Sequence, residues 1–180
     1  MKRFAVLTAS GPDRVGIVNE VSTALLEAGC NIEESRMSVL GGDFALIVLV
    51  SGEPDVIRQL LSGLESIGRQ IGLDITGRPT GPQAVNPTAR PYSIECVSLD
   101  TPGIVHSVTD LLHRRGINID ELQTNTTGAP FTGAPMFHMR ILAIIPEGIQ
   151  LQRLREELAE FAAGNDFDIT VKPILPGSDE

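Results

Sequence analysis

The chain has little of what most catalytic and metal sites require. Its 180 residues include two cysteines, three histidines and no tryptophan. Cys30 and Cys96 do not form a CxxC pair and the histidines form no H-x-x-x-H pattern, which argues against a metal site. No serine lies in a nucleophile elbow, and the glycines match neither a Walker nor a dinucleotide-binding pattern. The sequence therefore predicts a protein that is not an enzyme, with no catalytic residue, no metal and no cofactor.

Concentrated positive charge and long apolar runs are also missing. The formal net charge is −9 and the 14 Lys and Arg residues are scattered, whereas nucleic-acid binding needs positive charge clustered opposite phosphates. The longest apolar run, residues 44–50, is much shorter than a membrane span, and no signal-peptide core follows the N-terminus. The two cysteines are expected to be reduced thiols in the core. We expect a soluble, cytoplasmic protein that binds no nucleic acid and no membrane directly.

The most informative feature that is present is an internal repeat. An acidic residue followed by Gly-Ile-Val occurs at Asp13 and again at Asp100, and Asn31-Ile32 returns as Asn118-Ile119. Both pairs are 87 positions apart. Such a recurrence indicates that one supersecondary unit occurs twice in the chain.

Apolar periodicity predicts the order β-α-β-β-α-β in each copy. The predicted strands are 3–9, 32–40, 44–51 and 73–78 in the first copy and 92–99, 119–126, 136–145 and 167–174 in the second. The predicted helices run from Asp13 to Ala28 and from about Pro54 in the first copy, and from 103 to 115 and from 150 to 163 in the second. This order is the ferredoxin-like, α+β arrangement, an antiparallel sheet with both helices on one face. The predicted domains are residues 1–79 and 91–175, joined by a linker at 80–90. The connection 127–135 is enlarged relative to its counterpart.

The repeated positions around the first helix of each copy are the candidate binding site. A glycine there lets a ligand approach the free N–H groups of the helix start, which favour a carboxylate, while a nearby Asp or Asn suits an ammonium group. These groups together match an amino-acid zwitterion. The structural alternative is that the Asp is a helix N-cap and the Gly-x-Asn a C-cap and turn. The predicted ligand-binding positions are Asp13, Arg14, Gly16, Ile17, Val18, Asn31 and Ile32 in the first copy and Asp100, Gly103, Ile104, Val105, Asn118 and Ile119 in the second.

The segments GPDRVGIV and AGCNI, with DTPGIV and RGINI in the second copy, resemble ACT domains. A stand-alone tandem pair is similar to the glycine cleavage system transcriptional repressor family. The resemblance implies binding of small molecules, often amino acids, at interfaces between paired domains, with contacts at Asp13, Gly16, Asn31 and their repeats. One departure, Val15 in place of Pro102, implies that the two sites are not equivalent.

The resemblance further implies a regulator without a DNA-binding domain that acts through a partner transcription factor. We therefore predict an amino-acid-sensing regulatory protein that forms a homo-oligomer and whose effector is an amino acid such as glycine. The alternatives are a regulatory subunit of an amino-acid biosynthetic enzyme, with the catalytic chain supplied in trans, and an oligomerisation module without functional sites.

Overall fold

Two compact units, Met1–Ala84 and Val85–Glu180, make up the chain. A computed structural model describes residues 1–81 and 90–174. Each unit contains one ferredoxin-like fold with the element order β-α-β-β-α-β. The predicted fold class is therefore confirmed for both copies. Most of the predicted linker lies outside the described residues, and the domain bounds stay a prediction.

The first unit is one four-stranded antiparallel sheet with two helices. The sheet order is β2-β3-β1-β4, so the first and third strands are central. Its elements are β1 Arg3–Pro12, α1 Ile17–Glu27, β2 Asn31–Leu40, β3 Asp43–Gly52, α2 Pro54–Ile71 and β4 Asp74–Thr80.

The second unit repeats this arrangement with the order β6-β7-β5-β8. Both units carry a register irregularity at the same place in their edge strand, between Ile32 and Glu34 and between Ile119 and Glu121. The elements of the second unit are β5 Arg90–Leu99, α3 Ile104–Arg114, β6 Asn118–Gly128, β7 Pro135–Ile145, α4 Leu151–Asn165 and β8 Asp168–Pro173.

The helices of each unit cover one face of its sheet. In β1, Ala5, Leu7 and Ala9 are buried because alternate side chains of a strand point to the same face. Helix α1 buries Ile17, Val21 and Leu25 at helical spacing against the same core. The second unit has an equivalent core, and both free cysteines are buried, as the sequence predicts. No helix within residues 1–81 and 90–174 is long and apolar enough to cross a membrane.

The start of the first helix differs from the prediction. The helix begins at Ile17 and not at Asp13, because β1 continues to Pro12 and the chain then turns before Gly16. Strand β1 passes close to the segment after α2: a Cβ on Gly11 would lie 2.9 Å from the Leu73 side chain. The third helix likewise begins at Ile104, one residue later than predicted.

The enlarged connection of the second unit is a hairpin loop closed by its own hydrogen bonds. Strand β6 extends to Gly128 and β7 begins at Pro135. The Ala129 N–H donates to the Ala134 carbonyl at 2.8 Å, and the Gly133 N–H donates to the Ala129 carbonyl at 2.9 Å. The Phe131 side chain is fully exposed at this loop. The loop therefore presents an aromatic residue that contributes nothing to the core.

Candidate functional site

A glycine in a left-handed conformation precedes the first helix of each unit. Gly16 has φ 90° and Gly103 has φ 97°, and each is the N-cap of its helix. L-residues pay a steric cost in this region of φ, so the turn itself requires glycine. Because both copies have the same turn, the two helices leave their sheets in the same way.

The space above both glycines is open. A Cβ on Gly103 would meet nothing within 4 Å, and one on Gly16 would meet only the Glu20 carboxylate, at 3.9 Å. In the described part of the chain no strand packs there, so close strand packing does not explain either glycine. Within residues 1–81 and 90–174 no side chain caps α1 or α3. The Ile17 N–H makes a long hydrogen bond, 3.4 Å, to the Arg14 carbonyl, and the other N–H groups of the two first turns have no acceptor within their own helix. These N–H groups and the helix dipole favour a bound anion such as a carboxylate.

Asp13 and Asp100 lie beside these helix starts, and neither caps a helix. The Asp13 N–H donates to the Gly42 carbonyl at 2.9 Å, and the Asp100 N–H donates to the Pro135 carbonyl at 3.0 Å. These bonds attach each loop to the neighbouring hairpin and leave the carboxylate exposed. The N-cap interpretation is therefore wrong for both residues. In the second unit Asp100 Oδ2 also accepts a long hydrogen bond, 3.4 Å, from the Thr126 hydroxyl.

Arg14 is already engaged within the first unit. Its guanidinium donates to Glu20 Oε1 at 2.5 Å and Oε2 at 2.6 Å, and to the Ile71 carbonyl at the end of α2 at 2.8 Å. The hydrogen bond from Arg14 is the main cause that lowers the pKa of Glu20. The second copy has Thr101 and Ser107 at these positions and forms no such pair. Arg14 therefore positions the first loop.

The edge strand of each unit begins with an asparagine beside an acidic bulge residue. Asn31 Nδ2 donates to Glu33 Oε1 at 3.0 Å, and the Ser51 hydroxyl donates to the same oxygen. These hydrogen bonds, led by the one from Ser51, lower the pKa of Glu33. Bulges often redirect side chains near functional sites. The prediction missed Glu33 and its counterpart Asp120, although the two acidic residues are 87 positions apart and so occupy the same place in the repeat.

The structure does not bring the asparagine and the aspartate of one unit together. Asn31 pairs with Ser51, and Ser51 pairs with Phe4 at the beginning of β1, whereas Asp13 follows the other end of that strand. Nine residues of extended chain span roughly 30 Å, several times the length of glycine. The second unit has the same arrangement, with Asn118 and Asp100 at opposite ends. A single site containing both groups of one copy is therefore excluded.

The apolar candidate positions divide into core and surface residues. Ile17 and Ile104 are both 3% exposed and their side chains belong to the cores, so a ligand at the helix start would meet their backbone and not their side chains. Val18 and Val105 are exposed beside the open helix starts. Ile32 is exposed and Ile119 partly buried on the edge strands, away from the helix starts. Within residues 1–81 and 90–174, no group of three His, Cys, Asp or Glu side chains is arranged to hold a metal ion.

Comparison with known proteins identifies the two folds as ACT domains. Residues 3–77 and residues 92–163 each match the ACT domain. Two such domains in one chain define a tandem ACT protein.

Over 145 residues the chain is 32% identical to the glycine cleavage system transcriptional repressor of Escherichia coli (strain K12), covering 81% of this chain and 76% of that protein. The chain belongs to the glycine cleavage system transcriptional repressor family.

Solved structures agree with this assignment. A crystal structure of an unknown protein from Galdieria sulphuraria has 36% identity and a TM-score of 0.81, covering 97% of this chain and 100% of that one. A putative glycine cleavage system transcriptional repressor has 29% identity and a TM-score of 0.75, covering 97% of this chain and 98% of that one. The predicted resemblance is therefore confirmed along nearly the whole chain.

Proposed function

We propose that this protein senses an amino acid, such as glycine, at the open helix starts and regulates the glycine cleavage system through a partner transcription factor. The observation that carries the proposal is the uncapped start of α1 and α3, which follows a left-handed glycine in both units. The membership of the repressor family supports the regulatory role. No catalytic step is part of the proposal.

The chemistry of each helix start suits a zwitterion. The N–H groups that follow Gly16 would donate to the ligand carboxylate, and the Asp13 carboxylate would accept from its ammonium group. In the second unit Gly103 and Asp100 would act in the same way. Glycine has five heavy atoms, and a ceiling of about 1.5 kcal/mol per atom limits its binding free energy to roughly 7.5 kcal/mol. Affinity would be micromolar at best, which suits the sensing of a metabolite pool.

The two sites are expected to bind with different affinity. The first loop carries Val15 and is held by the pair of Arg14 and Glu20, whereas the second carries Pro102 and is joined to β6 through Thr126. Each contact fixes its loop before a ligand arrives, and preorganisation of different strength changes the free energy of binding.

The positions of Asn31 and Asn118 lead us to propose that two ACT folds contribute to each ligand site. Because each asparagine lies far from the helix start of its own unit, it can contact the same ligand only if that ligand is bound to a different ACT fold. Glu33 beside Asn31 and Asp120 beside Asn118 would add a negative charge for the ammonium group. Self-association into a homo-oligomer is one way to supply the second fold, and it remains part of the proposal.

The regulatory output is proposed to be a protein contact. The net charge of −9 disfavours DNA binding by this chain alone. An amino acid would change the output by preferring one conformation or assembly, and coupling of about 1–3 kcal/mol is typical. The exposed loop with Phe131 is our candidate for the contacting surface.

Affinity capture from the native lysate, with and without glycine, tests this proposal. We expect a transcription factor whose recovery changes with glycine, and an electrophoretic gel-shift assay should detect no DNA binding by the isolated chain. Recovery of an amino-acid biosynthetic enzyme instead would favour the regulatory-subunit alternative. Specific, salt-resistant DNA binding by the isolated chain would contradict the proposal.

A further inference from the structure

A groove lined by three arginines lies between the end of α3 and the start of α4 in the second unit. Its volume is about 380 Å³, and its lining includes Arg114, Arg115, Arg153 and Glu157. The buried side chain of Leu154 also lines it. The chain has only 14 Lys and Arg residues and a net charge of −9, so this concentration of positive charge is unusual for it.

The carboxylates nearby do not neutralise the arginines. Arg115 Nη2 lies 2.6 Å from Glu157 Oε1, and Arg153 Nε lies 3.3 Å from the same oxygen. Arg114 pairs with Asp110 at 2.9 Å, along an exposed face of α3. Even with Asp110 included, three guanidinium groups share two carboxylates. Like charges held close together are unfavourable, and a bound anion would remove that cost.

The start of α4 adds to the positive potential of the groove. No side chain among the described residues caps this helix, and no acidic residue lies in its first turn. The first turn instead contains Arg153, although a positive charge near a helix N-terminus is electrostatically unfavourable. The placement of Arg153 is therefore consistent with a site for an anion.

The arginines that line this groove have no counterpart in the first unit. Aligned on the repeat, Arg114 and Arg115 correspond to Glu27 and Ala28. Aligned on the buried leucines Leu60 and Leu154, Arg153 and Glu157 correspond to Gln59 and Gly63. The fold itself therefore does not require the arginines.

We propose that this groove binds the phosphate group of a small phosphorylated metabolite. A phosphate monoester carries about −1.5 to −2 charges at pH 7. The three guanidinium groups exceed the two carboxylates by one positive charge, and the start of α4 adds a partial positive charge of about 0.5. Arginine forks match phosphate oxygens through paired N–H donors. The inference does not depend on the amino-acid site, which lies at other residues.

Isothermal titration calorimetry on the full chain tests this inference, with glycerol 3-phosphate and inorganic phosphate titrated at constant ionic strength. We expect saturable binding of the ester that is tighter than that of inorganic phosphate. Arg114→Gln and Arg153→Gln should each weaken the binding by about tenfold or more. Both side chains are largely exposed, so the melting temperature should stay close to that of the unchanged chain.

Arg69→Gln is the matched control. Arg69 pairs with Glu65 on the surface of α2 in the first unit, and the substitution removes the same charge without altering the lining of the groove. It should change the affinity less than twofold. The proposal is overturned if no binding saturates, if Arg69→Gln weakens binding as much as the groove variants, or if inorganic phosphate binds as tightly as the ester. Binding of a poly-glutamate peptide without binding of the ester would also overturn it, in favour of a protein-binding surface.

Discussion

Asn31 and Asp13 lie at opposite ends of the same sheet. Asn31 is joined through Ser51 to Phe4 at the beginning of β1, while the Asp13 N–H donates to the Gly42 carbonyl beyond the far end of that strand. One amino acid cannot contact both residues of one unit. In the proposed function the helix start and the asparagine therefore belong to separate half-sites, and the predictions below concern mainly the helix start.

Replacing Gly103 with Ala separates the backbone role of this glycine from ligand access. Gly116→Ala is the control, since both residues have positive φ and open space for a Cβ. Each variant should lower the free energy of unfolding by about 1 kcal/mol because the Cβ is strained at positive φ, as chemical denaturation would measure. Only Gly103→Ala should also weaken amino-acid binding in calorimetry. Equal binding by the two variants would show that the space above Gly103 is not used.

Neutralising the carboxylates beside the helix starts should weaken binding without unfolding either unit. Asp13→Asn and Asp100→Asn each remove a charged acceptor for the ligand ammonium, and such hydrogen bonds contribute about 1.5–3 kcal/mol. Glu160→Gln, on an exposed face of α4, is the charge-matched control and should leave the affinity unchanged. Calorimetry of all three variants decides. Unchanged affinity in both aspartate variants would refute this role for the carboxylates.

Acid should weaken the first loop through Glu20. Its pKa is lowered from the ordinary value of 4.5, mainly by the hydrogen bond from Arg14. The stabilising contribution is therefore fully present above pH 4.5 and is lost as the pH falls through the lowered pKa. A carboxyl carbon NMR titration should show this lowered pKa, and Arg14→Gln should raise it again. Arg58→Gln, which breaks a surface pair with Asp55, is the control and should leave it unchanged. A Glu20 pKa at 4.5 in the unchanged chain would contradict the prediction.

The Phe131 loop should matter for partner binding and for nothing else. Phe131→Ser, or a shorter turn in place of residues 129–134, removes a fully exposed aromatic side chain and no core contact. We expect an unchanged melting temperature and unchanged amino-acid affinity, together with reduced recovery of the partner in affinity capture. Leu26→Ser, at another exposed apolar residue, serves as the control. Normal partner recovery with the shortened loop would show that the contact lies elsewhere.

Most of the fold could be predicted from the sequence because its signals are local and occur twice. Apolar spacing such as Ile17, Val21 and Leu25 defines one buried helix face, and the strand Phe44 to Val50 is apolar throughout. The first helix begins at Ile17, four residues after the predicted start at Asp13. An Asp before apolar residues is typical of an N-cap, but here Gly16 takes that position and the Asp13 N–H bonds to a hairpin instead.

The candidate site was only partly accessible from the sequence. The repeat identified Gly16 and Gly103, because their left-handed turns are a local feature of the chain. The pair of Arg14 with Glu20 and the contact of Glu33 with Ser51 join residues from separate elements, and no local pattern predicts them. The separation of Asn31 from Asp13 follows from the β-α-β topology, because α1 returns the chain to the end of the sheet where β1 begins.

The central claim is that an amino acid binds at the uncapped helix starts. Titration of ¹⁵N-labelled protein with each of the twenty amino acids, followed by amide NMR, tests it most directly. We predict saturable shifts for at least one amino acid at the backbone amides of residues 16–18 or 103–105, which form the uncapped helix starts. If no amino acid shifts these amides at concentrations on the order of 10 mM, where even millimolar binding would saturate, an amino acid does not bind at the helix starts.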